Sequence, residues 1–135
     1  MERLLLDTVF IQGLLNERDQ HHQRAIALLP RVRVAEVWVT EAVLTEVADA
    51  LSASHRLGAV RFIRRCYDTA NIHVVPVDTA LLDRALALYE ARADKTWGLT
   101  DCISFVVMED LGLTDAVTAD RHFIQAGYRA LMLDR

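Results

Sequence analysis

The chain has 135 residues, 53% of them apolar, with 15 Lys plus Arg against 19 Asp plus Glu for a formal net charge of −4. That is the size of one domain covering 1–135 with ample core-forming side chains, which excludes a mainly disordered chain, a repeat array and a bulk basic nucleic-acid footprint. The apolar run from Cys102 to Met108 falls far short of the ~20 residues of a membrane helix, and Asp7 interrupts the leading leucines too early for a signal peptide, so a cytoplasmic protein with no membrane association is expected. Cys66 and Cys102, without CxxC spacing, read as buried thiols.

Arg3 to Leu6 is a short apolar strand ending in Asp-Thr, after which Val9, Phe10, Gly13 and Leu14 recur at helical spacing. Asp19 to Leu29 continues as an amphipathic helix with Ala25, Ile26, Leu28 and Leu29 inward, stopped at Pro30. Val34 to Val39 is β-branched, with an aromatic in its alternation, and predicts a strand; Thr40 then caps a helix whose Val43, Leu44, Val47 and Leu51 share one face. A further helix, roughly Val60 to Thr69, turns Arg61, Arg64 and Arg65 outward. Ile72 to Val77 is a third strand broken by Pro76, and Asp78 or Thr79 caps a long helix containing Leu81, Leu82, Leu86, Leu88 and Tyr89. Asp101 to Leu111 is apolar nearly all round the helical wheel and must lie deep in the fold. Ala116 to Ala119 is another strand, Asp120 opens a helix ending near Gly127, and Ala130 to Leu133 closes as a last strand. This alternation predicts a three-layer α/β/α domain around a short central parallel sheet.

In such sheets ligands bind beyond the carboxyl ends of the strands. Asp7 and Asp120 follow strands, Asp101 opens the buried helix, and Glu46 can point toward the sheet edge from mid-helix. Asp at a helix start is also a favoured cap, worth about 0.5–2 kcal/mol with no function implied; Glu46 is too far inside its helix to cap anything. Four converging carboxylates repel one another unless they share protons or hold a cation, and hard oxygen donors suit Mg²⁺ or Mn²⁺.

The segments Leu5-Leu6-Asp7-Thr8, Thr45-Glu46-Val47, Leu99-Thr100-Asp101-Cys102-Ile103-Ser104 and Val117-Thr118-Ala119-Asp120-Arg121-His122-Phe123 resemble, in order, the four acidic motifs of PIN-domain ribonucleases. Length and motif order are similar to the VapC-type toxins of bacterial toxin–antitoxin pairs. The resemblance implies a PIN-like fold in which Asp7, Glu46, Asp101 and Asp120 gather around Mg²⁺ or Mn²⁺ for RNA phosphodiester hydrolysis. It also implies that Thr8 and Thr100 support the ligands through hydrogen bonds and that an antitoxin protein is a partner. Val9 departs from the small hydroxyl residue that many members carry at that position.

Around this site Lys95 and Arg92 are the candidate RNA contacts; His122 can also touch a phosphate, but it reads first as a surface or capping histidine. Trp97 reads as a cover over the core, and His21-His22 as a solvated pair. An Asp-nucleophile phosphohydrolase would carry a second Asp where this chain has Val9, and a receiver domain would carry adjacent acids after the first strand; neither pattern is present. A PIN-fold interaction module with purely structural carboxylates is the remaining alternative. The high apolar content of so small a domain predicts a homodimer or a surface covered by the antitoxin.

Overall fold

Three consecutive leucines are buried together only in a strand covered on both faces, and Leu4, Leu5 and Leu6 are all fully buried. The computed structural model, which describes residues 1–134, shows how. Strand β1 (Arg3–Leu6) leads through α1 (Thr8–Leu15) and α2 (His22–Arg33) to β2 (Glu36–Thr40), then through α3 (Glu41–Ala50) and α4 (Arg56–Asp68) to β3 (Ile72–Val75). Helices α5 (Thr79–Ala91) and α6 (Leu99–Leu111) cross to β4 (Asp115–Val117), and α7 (Arg121–Gln125) precedes β5 (Arg129–Ala130).

The sheet is parallel throughout, in the order β3-β2-β1-β4-β5. Leu4 and Leu6 pack with Phe10, Ile11, Val43 and Val47 under α1 to α4, whereas Leu5 packs with Met108, Phe105 and Phe123 under α5 to α7. Side-chain alternation along one strand therefore assigns the two helical layers, as the sequence predicts. Helix α6 lies against the second face with every residue from Cys102 to Met108 buried. Strands β1 and β4 are neighbours whose connections leave in opposite directions along the sheet, which opens a crevice at their carboxyl ends.

Several boundaries differ from expectation. Pro30 does not stop α2, which runs on to Arg33. The hydrogen bond that a proline at position 30 forgoes is to the carbonyl of Ile26, and both residues are solvent-exposed, so water can satisfy that carbonyl. Ile26, expected inward, is accordingly on the outer face. The last strand is only Arg129–Ala130; Leu131–Leu133 turn into a 3₁₀ helix. There Arg24 donates to the carbonyls of Leu131 at 3.1 Å and Asp134 at 2.8 Å, and the Met132 N–H donates to the Thr118 carbonyl at 3.1 Å. These bonds replace a strand ladder. On α5 only Leu81 and Ala85 are buried, while Leu82, Leu86 and Tyr89 are between 41% and 50% exposed. The caps at Thr40 and Asp78 form as expected, accepting from the N–H groups of Val43 at 3.1 Å and Leu81 at 2.8 Å. Both cysteines are buried and free, and burial pushes the Cys66 thiol up to about 11, which leaves it protonated and unreactive. Among the described residues no helix is long and apolar enough to cross a membrane.

Candidate active site

The register Leu6↔Val117 between β1 and β4 sets the residue after each strand beside its counterpart. Asp7 leaves β1 at the N-cap position of α1, yet its side chain makes no cap hydrogen bond. It accepts instead from the Thr118 hydroxyl at 2.7 Å, and the same hydroxyl oxygen accepts the Asp120 N–H at 3.0 Å. Thr118 is completely buried and Asp7 nearly so. Burial pushes the Asp7 carboxyl up to about 7, with the charges of Asp101 and Asp120 acting in the same direction and the bonds from Thr118 and the Thr8 N–H opposing it. A capping role thus leaves Asp7 unexplained.

Asp101 sits in the first turn of α6, which begins at Leu99 with Gly98 as its cap residue. Its Oδ2 accepts the Gly98 N–H at 3.1 Å and lies 2.9 Å from His122 Nδ1. Asp120 caps α7, its Oδ1 accepting the His122 N–H at 2.9 Å and lying 3.4 Å from His122 Nδ1. Ligand-type atoms of Asp101, Asp120 and His122 all fall within 4.8 Å of one another. Asp7 stands behind this trio, coupled to it by charge and through Thr118.

A divalent cation fits this donor set. The acids are hard oxygen donors, and like charges brought this close call for a compensating positive charge. Two buried hydroxyls adjoin them in the chain: Thr8 beside Asp7, and Ser104 one helical turn beyond Asp101. Neither Thr8 Oγ1 nor Ser104 Oγ has a partner among the described residues, and a buried orphan of this kind points to a bound water or ion.

The PIN-domain family model matches residues 4–127. The chain belongs to the PIN-domain family. No curated protein matches it, but solved structures do. It is similar to the Mycobacterium tuberculosis toxin VapC20, described as cleaving the sarcin–ricin loop, with a TM-score of 0.83 and 23% identity over 93% of this chain and 95% of that one. The Neisseria gonorrhoeae protein FitAcB gives a TM-score of 0.61 and 16% identity, covering 94% of both chains. FitAB bound to a DNA fragment gives 0.67 and 15%, covering 94% of this chain and 92% of that one. At these identities the likeness is one of fold.

Within this PIN domain the remaining candidates divide. Glu46 is exposed on α3, where it lines a cleft with Thr100 and Ile103 of α6, outside the tight trio. Its neighbour Glu41, which sequence reasoning passed over, fixes the start of α3 by accepting from Tyr67 Oη at 2.6 Å and from the Val77 N–H at 3.2 Å. The hydroxyl support expected from Thr8 and Thr100 is found at Thr118. Arg92 is forked onto Asp94 at 3.0 and 3.1 Å and lies over the Trp97 ring, and Lys95 is 3.7 Å from Asp94. Trp97 is buried as core cover, its indole N–H donating to Gln125 at 3.0 Å. His122 is neither a surface residue nor itself a cap: its ring lies half-buried between two acids, with Nε2 3.2 Å from Thr96 Oγ1. Its position two residues after the capping Asp120 was the available signal, because the backbone N–H there folds back onto the cap.

Thr118→Val should cost about 1–3 kcal/mol, since it strips a partner from the Asp120 N–H and from Asp7. Chemical denaturation at pH 7 measures this. An undiminished stability would mean that the hydroxyl bridge contributes nothing.

Proposed function

We propose that this PIN domain is a metal-dependent ribonuclease, working as a single 1–135 domain, in which Asp7, Asp101, Asp120 and Glu46 serve Mg²⁺ or Mn²⁺. The observation that carries this is the convergence of a buried, uncapping Asp7 with Asp101 and Asp120 at the crevice between β1 and β4. Asp101 and Asp120 each retain one carboxylate oxygen without a hydrogen bond among the described residues, and these oxygens would be the ones to hold the ion. Glu46, set apart on α3, would act through water. When bound, the cation supplies an acidic water and neutralises charge on the phosphate. Asp7 and Thr118 form the buried end of the site, and His122, Lys95 and Arg92 are the residues that would contact RNA.

The toxin role, with an antitoxin partner and action in the cytoplasm, extends this proposal. It is supported by the likeness to VapC20 and to FitAB, and by an apolar groove lined by Phe10, Leu14, Leu29 and Phe62 beside Arg33, Arg61 and Arg65. A homodimer is supported by the exposed row Leu82, Leu86 and Tyr89, which recurs at helical spacing along α5.

The alternative, a binding module with structural carboxylates, draws on the fact that Asp101 and Asp120 both make helix-terminal hydrogen bonds. Asp101→Asn separates the two, because Asn accepts the Gly98 N–H equally well but is a poorer metal ligand. End-mapped RNA cleavage with and without Mg²⁺ or Mn²⁺ should collapse in the variant while its thermal midpoint stays nearly unchanged. Full metal-dependent cleavage by Asp101→Asn would place these acids in the scaffold instead.

A further inference from the structure

We propose that His122 is a positioning residue that joins the acids of α6 and α7 and presents one free oxygen of each to the cation, without itself ligating the ion; this rests on the metal-site proposal above. Asp101 and Asp120 come from separate helices, and one imidazole nitrogen lies within reach of both, 2.9 Å from Asp101 Oδ2 and 3.4 Å from Asp120 Oδ1. The backbone donors converge on the same two atoms: the Gly98 N–H on Asp101 Oδ2 and the His122 N–H on Asp120 Oδ1. Among the described residues, every hydrogen bond to these carboxylates is therefore concentrated on one oxygen apiece. Asp101 Oδ1 and Asp120 Oδ2 remain, the two carboxylates held in fixed orientation.

The choice between donor and ligand follows from proton placement. A metal-ligating Nδ1 would present a bare lone pair to two carboxylate oxygens at hydrogen-bond distance, which is repulsive; a protonated Nδ1 makes those contacts favourable. The two carboxylate oxygens near Nδ1 favour the tautomer carrying the proton there, and the Thr96 hydroxyl at 3.2 Å from Nε2 is compatible with it, since it can donate to that nitrogen. Phe123, the next residue, is completely buried against Phe105 and holds the ring's helix in place.

The test uses Mn²⁺ as the probe on the full chain. Titration followed by the EPR signal of free Mn²⁺ gives the affinity of the parent protein, His122→Ala and His122→Asn, and pulsed EPR of the bound ion reports directly coordinated nitrogen. Loss of an outer hydrogen-bond partner of this kind should weaken binding by about 10- to 100-fold in His122→Ala. His122→Asn, whose side-chain amide N–H reaches nearly the place of Nδ1, should recover most of it. The parent should show no coupling from a coordinated nitrogen. Tight binding by the parent with equal affinity in His122→Ala overturns the positioning role and leaves the metal site standing. A coordinated-nitrogen signal in the parent that disappears in His122→Ala makes the imidazole a ligand and overturns it differently. A parent protein that binds no Mn²⁺ removes the metal site itself, and this role with it.

Discussion

Asp7→Asn is expected to make the metal-free protein more stable at neutral pH while abolishing metal-dependent RNA cleavage. The Asp7 carboxyl titrates near 7 in the folded chain, pushed there by burial, against an ordinary value of 3.8. Between those two values the folded state holds a proton that the unfolded state has released. Stability of the parent therefore falls as pH rises through this window and levels off above about pH 7. At about 1.4 kcal/mol per pKa unit, the ceiling on this loss is about 4 kcal/mol. Asn carries no charge to bury, and its carbonyl can still accept the Thr118 hydroxyl, so the variant should keep a nearly flat profile from pH 4 to about pH 8. Saturating Mn²⁺ should narrow this gap, because an ion that binds only the folded parent stabilises it by about 2.7 kcal/mol at a hundred times its dissociation constant. Thermal melts across this pH range, with and without Mn²⁺, decide the matter. A parent protein whose midpoint is independent of pH between 4 and 7 would mean that Asp7 is ionised and solvated.

Phe123→Ala should be among the most damaging single substitutions in the chain, at about 3–5 kcal/mol. The ring is fully buried, meets Phe105 edge-on at 4.9 Å and belongs to an aromatic group with Trp97 and Tyr128. Helix α7 has only five residues, too few to be helical by its own hydrogen bonds, so tertiary packing holds it. Asp120 caps that helix and His122 lies within it, which makes the ring a support for the site as well as for the core. Cleavage should fall even at temperatures where the variant remains folded. Phe123→Leu, which keeps most of the apolar volume, should lie between the parent and Phe123→Ala in both denaturant midpoint and cleavage rate. Stability equal to the parent in Phe123→Ala would show that α7 is anchored elsewhere.

What the amino-acid pattern revealed, and what it concealed, follows the range of the interactions involved. Three leucines ending at Asp7, and a helix apolar on all sides after Asp101, are local signals, and they point to the parallel sheet and to candidate acids at the carboxyl ends of its strands. Thr118 stands within a motif, but nothing local marks it as the partner of Asp7, because that contact depends on the register of β1 against β4 across 111 residues of chain. Thr8, adjacent in sequence, meets Asp7 through its backbone N–H, while its hydroxyl has no partner among the described residues. His122 was undervalued for a related reason: the acid that contacts it most closely, Asp101, lies 21 residues away. Pro30 misled in the opposite direction, since a proline rule applied locally takes no account of a carbonyl that faces water. Helix α5 was assigned correctly, but periodicity alone could not tell which of its leucines would be left outside, because a helix at the surface of a small domain has more apolar positions than the sheet can cover.

The pairing of β1 with β4 also governs when the candidate site can exist during synthesis. Leu6 waits for Val117, so the central strand of the sheet lacks one neighbour until 111 further residues have been made. Contacts this distant in sequence close late and slowly. A nascent chain still short of β4 has neither Thr118 to hold Asp7 nor Asp120 and His122 to face Asp101, and its acids remain scattered. The cluster therefore forms only after β4 and α7 have been made and have docked.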